Sequence, residues 1–245
     1  MCFCWEPNPA IEMDKPITED KARYVQGMFG RIAERYDLMN RLMTAGQDRR
    51  WRQEVVRRSG LGEDDHILDL GAGTGDLSRE AVRQVPGCRA TAADFTLEMM
   101  RVGKSRTPNT GITWTMADAL SLPFASGTFK SVVSGFLLRN VVDVRLALQE
   151  QFRVLKSGGS LVALDTTRPP DNLLRLLIDY YLRDIIPSLG RLITGETGAY
   201  AYLTASTQAF LKAEQLAAYI EQAGFHDVGF RRLMFGTVAI HWGRK

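Results

Sequence analysis

Apolar positions along the chain change rhythm twice, and the changes predict its organisation. Over residues 22–43 they recur at Tyr24, Met28, Ile32, Tyr36 and Met39, the spacing of one helix face. Gly46 interrupts, a basic amphipathic helix is expected over 48–59, and Gly60-Leu61-Gly62 closes a helical cap spanning residues 21–62. From His66 the pattern becomes short apolar runs alternating with helical stretches. Strands are expected over 66–70, 89–93 (ending at Asp94), 112–116, 129–134 and 160–164, and helices over 76–84, 97–105 and 144–155. Such alternation means a parallel sheet covered on both faces. After Pro169-Pro170 it stops: 172–185 reads as helix, 187–202 as turn-rich, and 212–223 as a helix stopped by Gly224. Strands over 228–233 and 237–242 then complete the sheet. The expected fold is α/β, a doubly wound, mostly parallel seven-stranded sheet with an N-terminal helical cap and a helical insertion at 171–210. Residues 21–245 form one domain, preceded by a leader at 1–20 that carries Glu6, Glu12, Asp14 and three prolines, unlike a signal peptide.

Composition changes this picture little. The 245 residues are 45% hydrophobic and 24% charged, with a net charge of +3, which gives no argument for nucleic acid. Cys2, Cys4 and Cys88 form neither an even framework nor a CxxC pair, so a reducing cytoplasm is the expected compartment. His66, His226 and His241 have no metal-ligand spacing and read as structural. The apolar stretch 173–193 is interrupted by Arg175, Asp179, Arg183, Asp184 and Pro187, too many breaks for a span of roughly 20 apolar residues.

The chemistry concentrates in Asp69-Leu70-Gly71-Ala72-Gly73-Thr74-Gly75-Asp76. Glycines after a first strand let the backbone turn tightly and approach a ligand. A dinucleotide fingerprint, GxGxxG, would need its third glycine where Asp76 stands, and an acid there opposes a pyrophosphate at the helix N-terminus. The GxGxG loop suits instead a nucleoside carrying a cationic sulfonium. Asp94, at the end of the second strand, is placed to accept both ribose hydroxyls, and Asp118-Ala119, after the third, to meet an adenine. The cofactor expected from this set is S-adenosylmethionine. Gly71, Gly73 and Gly75 are assigned to it, with Asp94, Phe95 and Met99 and with Asp118 and Ala119.

At this point the sequence resembles the ubiquinone/menaquinone biosynthesis C-methyltransferases, Rossmann-like class I enzymes that use S-adenosylmethionine. The likeness runs from about Tyr24 to Lys245. Its most specific stretches are Tyr36-Asp37-Leu38-Met39-Asn40, continuing through Thr44, Gly46 and Asp48 to Trp51-Arg52, and Phe136-Leu137-Leu138-Arg139-Asn140-Val141, similar to the family's FGLRN segment. Further matches are Ile186-Pro187 with Gly190-Arg191, Tyr200-Ala201-Tyr202-Leu203, and Gly236 to His241. The resemblance implies binding of S-adenosylmethionine by Thr74, Asp94, Asp118 and Ala119, and methyl transfer to a ring carbon of a demethylated polyprenyl quinol such as demethylmenaquinol. Gly135, Leu137, Thr44, Lys130 and the segment Asp165-Thr166-Thr167-Arg168 depart from the family's usual residues, so another small aromatic or lipid substrate is the alternative.

Ring-carbon methylation needs a phenolate-like nucleophile held in line with the methyl group. Arg139 stays cationic and is no simple base. It is assigned to phenolate stabilisation or to polarising a water, with Asn140 orienting that water. Tyr36 and Asp37, from the cap, are the other catalytic candidates, and Tyr200 and Tyr202 the substrate-facing ones; packing or capping is the competing reading for each. The stretch 173–193 suits a lipid tail, as tunnel wall or lid, or is a core helix. The Arg-rich 48–59 helix suits an anionic membrane surface, or is a solvated face. Expected partners are therefore a lipophilic quinol and no nucleic acid, with peripheral contact at the inner face of the cell membrane and a homodimer left open. A nicotinamide-dependent oxidoreductase and a catalytically silent binding protein are the readings from other classes.

Overall fold

The computed structural model describes residues 18–108, 110–169, 185 and 198–245. The chain opens with α1 (Thr18–Ile32), α2 (Tyr36–Met43) and α3 (Asp48–Ser59). There follow β1 (His66–Leu70), α4 (Asp76–Gln84), β2 (Arg89–Asp94), α5 (Leu97–Ser105), β3 (Ile112–Met116), β4 (Phe129–Gly135), α6 (Val144–Val154) and β5 (Leu155–Thr166). The insertion ends with α7 (Gly198–Ala209), and after it come α8 (Ala213–Gln222), β6 (His226–Leu233), a 3₁₀ turn at Met234–Gly236, and β7 (Val238–Arg244).

The seven strands form one sheet in the order β3-β2-β1-β4-β5-β7-β6. β1 to β5 pair in parallel, and β7 runs against both its neighbours, with Ser160 opposite Arg244 and Thr166 opposite Val238. Alternation along each strand sends side chains to two faces. Leu68, Val132 and Leu161 join a core covered by α6 and α8 through Leu148, Leu216 and Ile220. Ile67, Val133 and Val162 join one covered by α3 and α4 through Trp51, Val55 and Leu77. The 21–62 segment thus divides: α3 is a layer of the sheet sandwich, and only α1 and α2 lie over the sheet's carboxyl edge.

Three local expectations need correction. The single helix over 22–43 is two helices, broken by a turn in which the Arg35 N–H donates to the Ile32 carbonyl. The break lets α2 bury Met39 and Met43 while Tyr36 reaches the cavity described below. β5 begins at Leu155 rather than Ser160: Gly158 (φ 67°) and Gly159, whose missing Cβ would lie 2.9 Å from the Lys130 carbonyl, form an irregularity within the strand. Residues 198–202, expected in a turn-rich stretch, open helix α7. Residues 1–17 of the leader and most of the insertion, including all of 173–193 but Ile185, lie outside the described residues, and α1 begins at Thr18, within the expected leader.

Trp114 of β3 is the wedge under the glycine loop. A Cβ on Gly103 would fall 2.1 Å from Trp114 Cη2 and 2.8 Å from the Thr74 carbonyl oxygen, and one on Gly75 would fall 2.7 Å from the same indole carbon. Gly103→Ala is therefore expected to destabilise the fold by about 1–3 kcal/mol through overpacking. Gly27→Ala, whose added carbon meets only Arg31 at 3.7 Å on the exposed side of α1, should be neutral or stabilising. Urea midpoints of the two variants check this, and equal midpoints would dismiss the wedge.

Candidate active site

Strand order reverses between β1 and β4, and the crevice outside the carboxyl ends of these strands is where an open α/β sheet receives a ligand. A cavity of about 440 Å³ occupies that position. β1 delivers the chain into the glycine loop, where Gly71, Gly73 and Gly75 all adopt positive φ (67°, 56° and 82°). The N–H groups of Gly71 and Ala72 donate to the Ala93 carbonyl at 2.8 and 3.0 Å, which stitches the loop to β2. Asp94 then sits at the junction: one carboxylate oxygen accepts from the Gly73 N–H and the other from the Thr96 N–H, both at 2.7 Å. Burial raises its pKa, opposed by those two donors.

Gly71, Gly73, Asp94, Phe95 and Met99 line the cavity, as do Asp118 and Ala119. Thr74 and Gly75 do not. Thr74 is buried and donates its hydroxyl to Asp37 at 2.8 Å, and Gly75 serves the close packing on Trp114. Asp76 also faces elsewhere, between Arg52 (2.7 Å) and Arg79. Its charge is countered there, so it opposes a phosphate less than the bare sequence suggests.

Beneath the loop, Asp69 is buried and accepts from both the N–H and the hydroxyl of Ser78 at 2.8 Å. Burial pushes its pKa up to about 6.

The candidates for the chemistry occupy the other end of the cavity. Phe136 has φ of 60°, a strained value for a residue with a side chain, and its N–H donates to the Leu164 carbonyl at 2.7 Å. This kink turns the chain after β4 so that Phe136, Leu137 and Asn140 line the cavity. The Asn140 amide is oriented by two bonds, donating to the Phe136 carbonyl (2.9 Å) and accepting from the Tyr202 hydroxyl (3.3 Å). Arg139 is not on the main cavity wall. It is buried in a recess of about 20 Å³ bounded also by Phe29, Tyr36, Asn140 and Tyr202. Phe29, Tyr36 and Asn140 border both spaces, so the recess opens directly behind the main cavity.

The Arg139 guanidinium lies 4.0 Å from Asp165 and over the Phe136 ring at 5.0 Å, and its buried Nε has no hydrogen-bond partner among the described residues. Burial raises the pKa of Tyr36, Tyr202 and Asp165, and the Arg139 charge opposes the rise in all three. Asp37 turns away from the cavity, to Thr74 and to Arg106 at 2.5 Å. The side chain of Tyr200 lies outside the described residues.

Sequence reasoning missed the contribution of α1. Arg23, Val25, Gln26 and Phe29 line the cavity, and Gln26 donates to the Phe95 carbonyl at 3.0 Å. A signal existed: Val25 and Phe29, four apart, form a second apolar edge beside the Met28–Ile32 stripe. Of the departures from the resembled pattern, Gly135 and Leu137 line the cavity, Thr44 is buried on Asp48, and Lys130 lies at the opposite end of β4, on the Gly158 carbonyl.

Residues 17–245 match the profile of the ubiE/COQ5 methyltransferase family. The chain is 47% identical over 221 residues to the ubiquinone/menaquinone biosynthesis C-methyltransferase UbiE of Desulfotalea psychrophila, covering 90% of each chain. It is 41% identical to the demethylmenaquinone methyltransferase of Thermus thermophilus, covering 89% of this chain and all of that one. In fold it is similar to a chain from the complex between the Haloferax volcanii Trm112 methyltransferase activator and the putative methyltransferase, with a TM-score of 0.64 at 17% identity over 88% of this chain and 96% of that one.

Proposed function

The chain belongs to the ubiE/COQ5 methyltransferase family, and we propose that it carries out S-adenosylmethionine-dependent C-methylation of the ring of a demethylated polyprenyl quinol, demethylmenaquinol first among the candidates. The cavity suits the cofactor on grounds of its own. Two glycines with positive φ bring backbone to its wall, an oriented carboxylate stands at Asp94, and Asp118 stands beyond it. When bound, S-adenosylmethionine supplies an electrophilic methyl group. Asp94 would hold the ribose and Asp118 with Ala119 the adenine, while Phe95 and Met99 pack around them.

The observation that carries the reaction is the recess behind Tyr36 and Asn140, with a buried arginine inside it and room for one water. A quinol ring placed against Phe29 and Tyr36 would present one hydroxyl to this recess. There Arg139 would stabilise the phenolate that makes the neighbouring ring carbon nucleophilic, while a water in the recess, oriented by the fixed amide of Asn140, takes the hydroxyl proton. The methylated carbon would then lose its own hydrogen as a proton, restoring the aromatic ring, and S-adenosylhomocysteine would leave. Tyr202, held on Asn140 and packed against Tyr24 with ring centroids 5.6 Å apart, closes the recess over the ring. Holding methyl and carbon in line contributes roughly 7–11 kcal/mol toward the barrier.

The lipid tail makes peripheral contact with the membrane part of this reading. No helix among the described residues is long and apolar enough to cross a membrane. The basic face of α3 is largely spent internally, Arg52 on Asp48 and Asp76, Arg57 and Arg58 on Glu54. Exposed Leu38 and Leu42 on α2, with Arg41 between them and Arg49 and Arg50 nearby in sequence, are better suited to an anionic surface. A second copy of the chain is the competing occupant of that face.

The test is incubation with methyl-labelled S-adenosylmethionine and chemically reduced demethylmenaquinol in detergent, with demethylated ubiquinol precursors in parallel, followed by mass spectrometry of the lipid. Label in a quinol ring is expected. Cofactor binding with no label in any quinol would discard the quinol and leave Gly135 and Leu137 as marks of a rebuilt pocket. Sedimentation with phosphatidylglycerol vesicles, set against phosphatidylcholine alone, reads the membrane contact.

A further inference from the structure

Asp37, on sequence a candidate acid or ion-pair partner, stands in a ring of polar contacts around the glycine loop. Its carboxylate accepts from the Thr74 hydroxyl at 2.8 Å and pairs with Arg106, at the end of α5, at 2.5 Å. The Thr74 carbonyl is held from the other side by Arg79 at 2.6 Å. Arg79 pairs with Asp76, Asp76 with Arg52 (2.7 Å), Arg52 with Asp48 (2.8 Å), and Asp48 accepts from the Thr44 hydroxyl (3.1 Å). Thr44 caps the carboxyl end of α2, the helix that carries Asp37 near its start. The circuit therefore closes through α2 itself. Three carboxylates alternate with three guanidinium groups, so no charge in it stands unbalanced.

We infer that Asp37 is a positioning residue, which locks the first cap helices onto the cofactor loop and thereby sets cofactor affinity. The Thr74 hydroxyl is committed to α2 and its carbonyl to α4, so the residue is held from both sides of the loop. Gly73 in turn donates to Asp94, so the pose of Thr74 is passed to the carboxylate on the cavity wall. Gln26 repeats the device from α1 by donating to the Phe95 carbonyl. Tyr36, adjacent to Asp37, is fixed on the cavity wall by the same closure. The motif stretch from Tyr36 through Asp48 to Arg52 thus acts on the loop more than on the substrate.

This inference rests on the S-adenosylmethionine reading, and the experiment separates the two. Calorimetric titration with S-adenosylhomocysteine is run on the wild type, Asp37→Ala, Arg106→Ala, their double variant, and Arg106→Lys, with initial rates at saturating cofactor alongside. Each alanine variant should bind about tenfold more weakly and keep turnover at saturating cofactor within about threefold. The double variant should lose little beyond the worse single one, and Arg106→Lys should recover most of the affinity lost in Arg106→Ala. Asp37→Ala with unchanged affinity and turnover lowered a hundredfold would return Asp37 to proton transfer. Fully additive losses, or none, would overturn the lock while leaving the cofactor reading intact. A wild type that binds no S-adenosylhomocysteine would overturn both.

Discussion

Arg139→Ala is expected to lower turnover about 10²–10³-fold, the cost of removing one preorganised charge from a developing oxyanion, with cofactor affinity nearly unchanged. The guanidinium lies in the recess behind Tyr36 and Asn140, away from the residues that would meet the nucleoside, so turnover should move and cofactor Kd should not. Its pH signature is specific. A buried cation beside the quinol hydroxyl favours the ionised form, so the rate of the wild type should rise with pH earlier than that of the variant. Stability needs a parallel measurement, because the substitution strips Asp165 of its cation. That carboxyl is buried and already has a raised pKa. Without Arg139 it should take up a proton rather than remain a bare charge, keeping the bonds it accepts from the Arg139 and Thr166 N–H groups. Arg139→Lys, which restores charge without the planar fork, should recover part of the rate. Wild-type turnover in Arg139→Ala would remove the arginine from the chemistry.

Asp69→Asn should change how stability depends on pH by about 3 kcal/mol between pH 4 and 7. The Asp69 carboxyl titrates near 6 in the folded chain against an ordinary 3.8. That difference is worth about 3 kcal/mol. The folded chain holds this proton more tightly, so the contribution is fully present below about pH 4 and is lost as pH rises through 6. His241 works in the opposite sense. Burial in β7 lowers its pKa from 6.5 to about 4, so its contribution is complete above pH 6.5 and is lost as pH falls through 4. Its Nε2 meets the Ala213 carbonyl at 2.9 Å, a bond that partly opposes the lowering that burial imposes. Between pH 4 and 6 the two slopes nearly cancel, and the wild type should show little variation. Asparagine keeps an acceptor for both Ser78 donors while removing the ionisation. The variant should match the wild type near pH 4, gain on it up to about pH 6 and hold that margin to pH 7, exposing the histidine slope. Urea midpoints at unit intervals of pH measure this, and parallel curves would show that Asp69 does not titrate as described.

Much of this fold was legible because its punctuation is local. Gly60 ends α3 in the left-handed conformation, the glycine loop separates β1 from α4, and Asp143 accepts from the Leu146 N–H at the start of α6, so these boundaries fall where the residue types place them. The cofactor side of the site was legible for the same reason. Glycine and acid at the ends of successive strands share one sheet edge whatever the rest of the chain does. What escaped depends on partners far along the chain. The break at 33–35 is unmarked by glycine or proline and follows from seating α2 on the loop. Asp37 finds Thr74 and Arg106, Arg52 finds Asp76, and Gln26 finds Phe95, and no spacing rule connects those positions. Arg139 was recognised from the segment it belongs to, but its place behind the cavity wall needed the Phe136 kink, which a phenylalanine does not announce.

The pairing of β5 with β7 also bears on how the chain reaches this state. β5 carries Leu161, Val162, Ala163 and Leu164, all almost wholly buried, and its outer hydrogen-bonding edge is filled only by β7, which emerges about seventy residues later during synthesis. For that interval the ribosome presents a partial sheet whose open margin carries four consecutive apolar residues, the kind of edge that recruits a wrong partner. Yield in the cell should therefore be limited less by the finished protein's stability than by how long this margin waits, and slower translation beyond β5 would lengthen the wait.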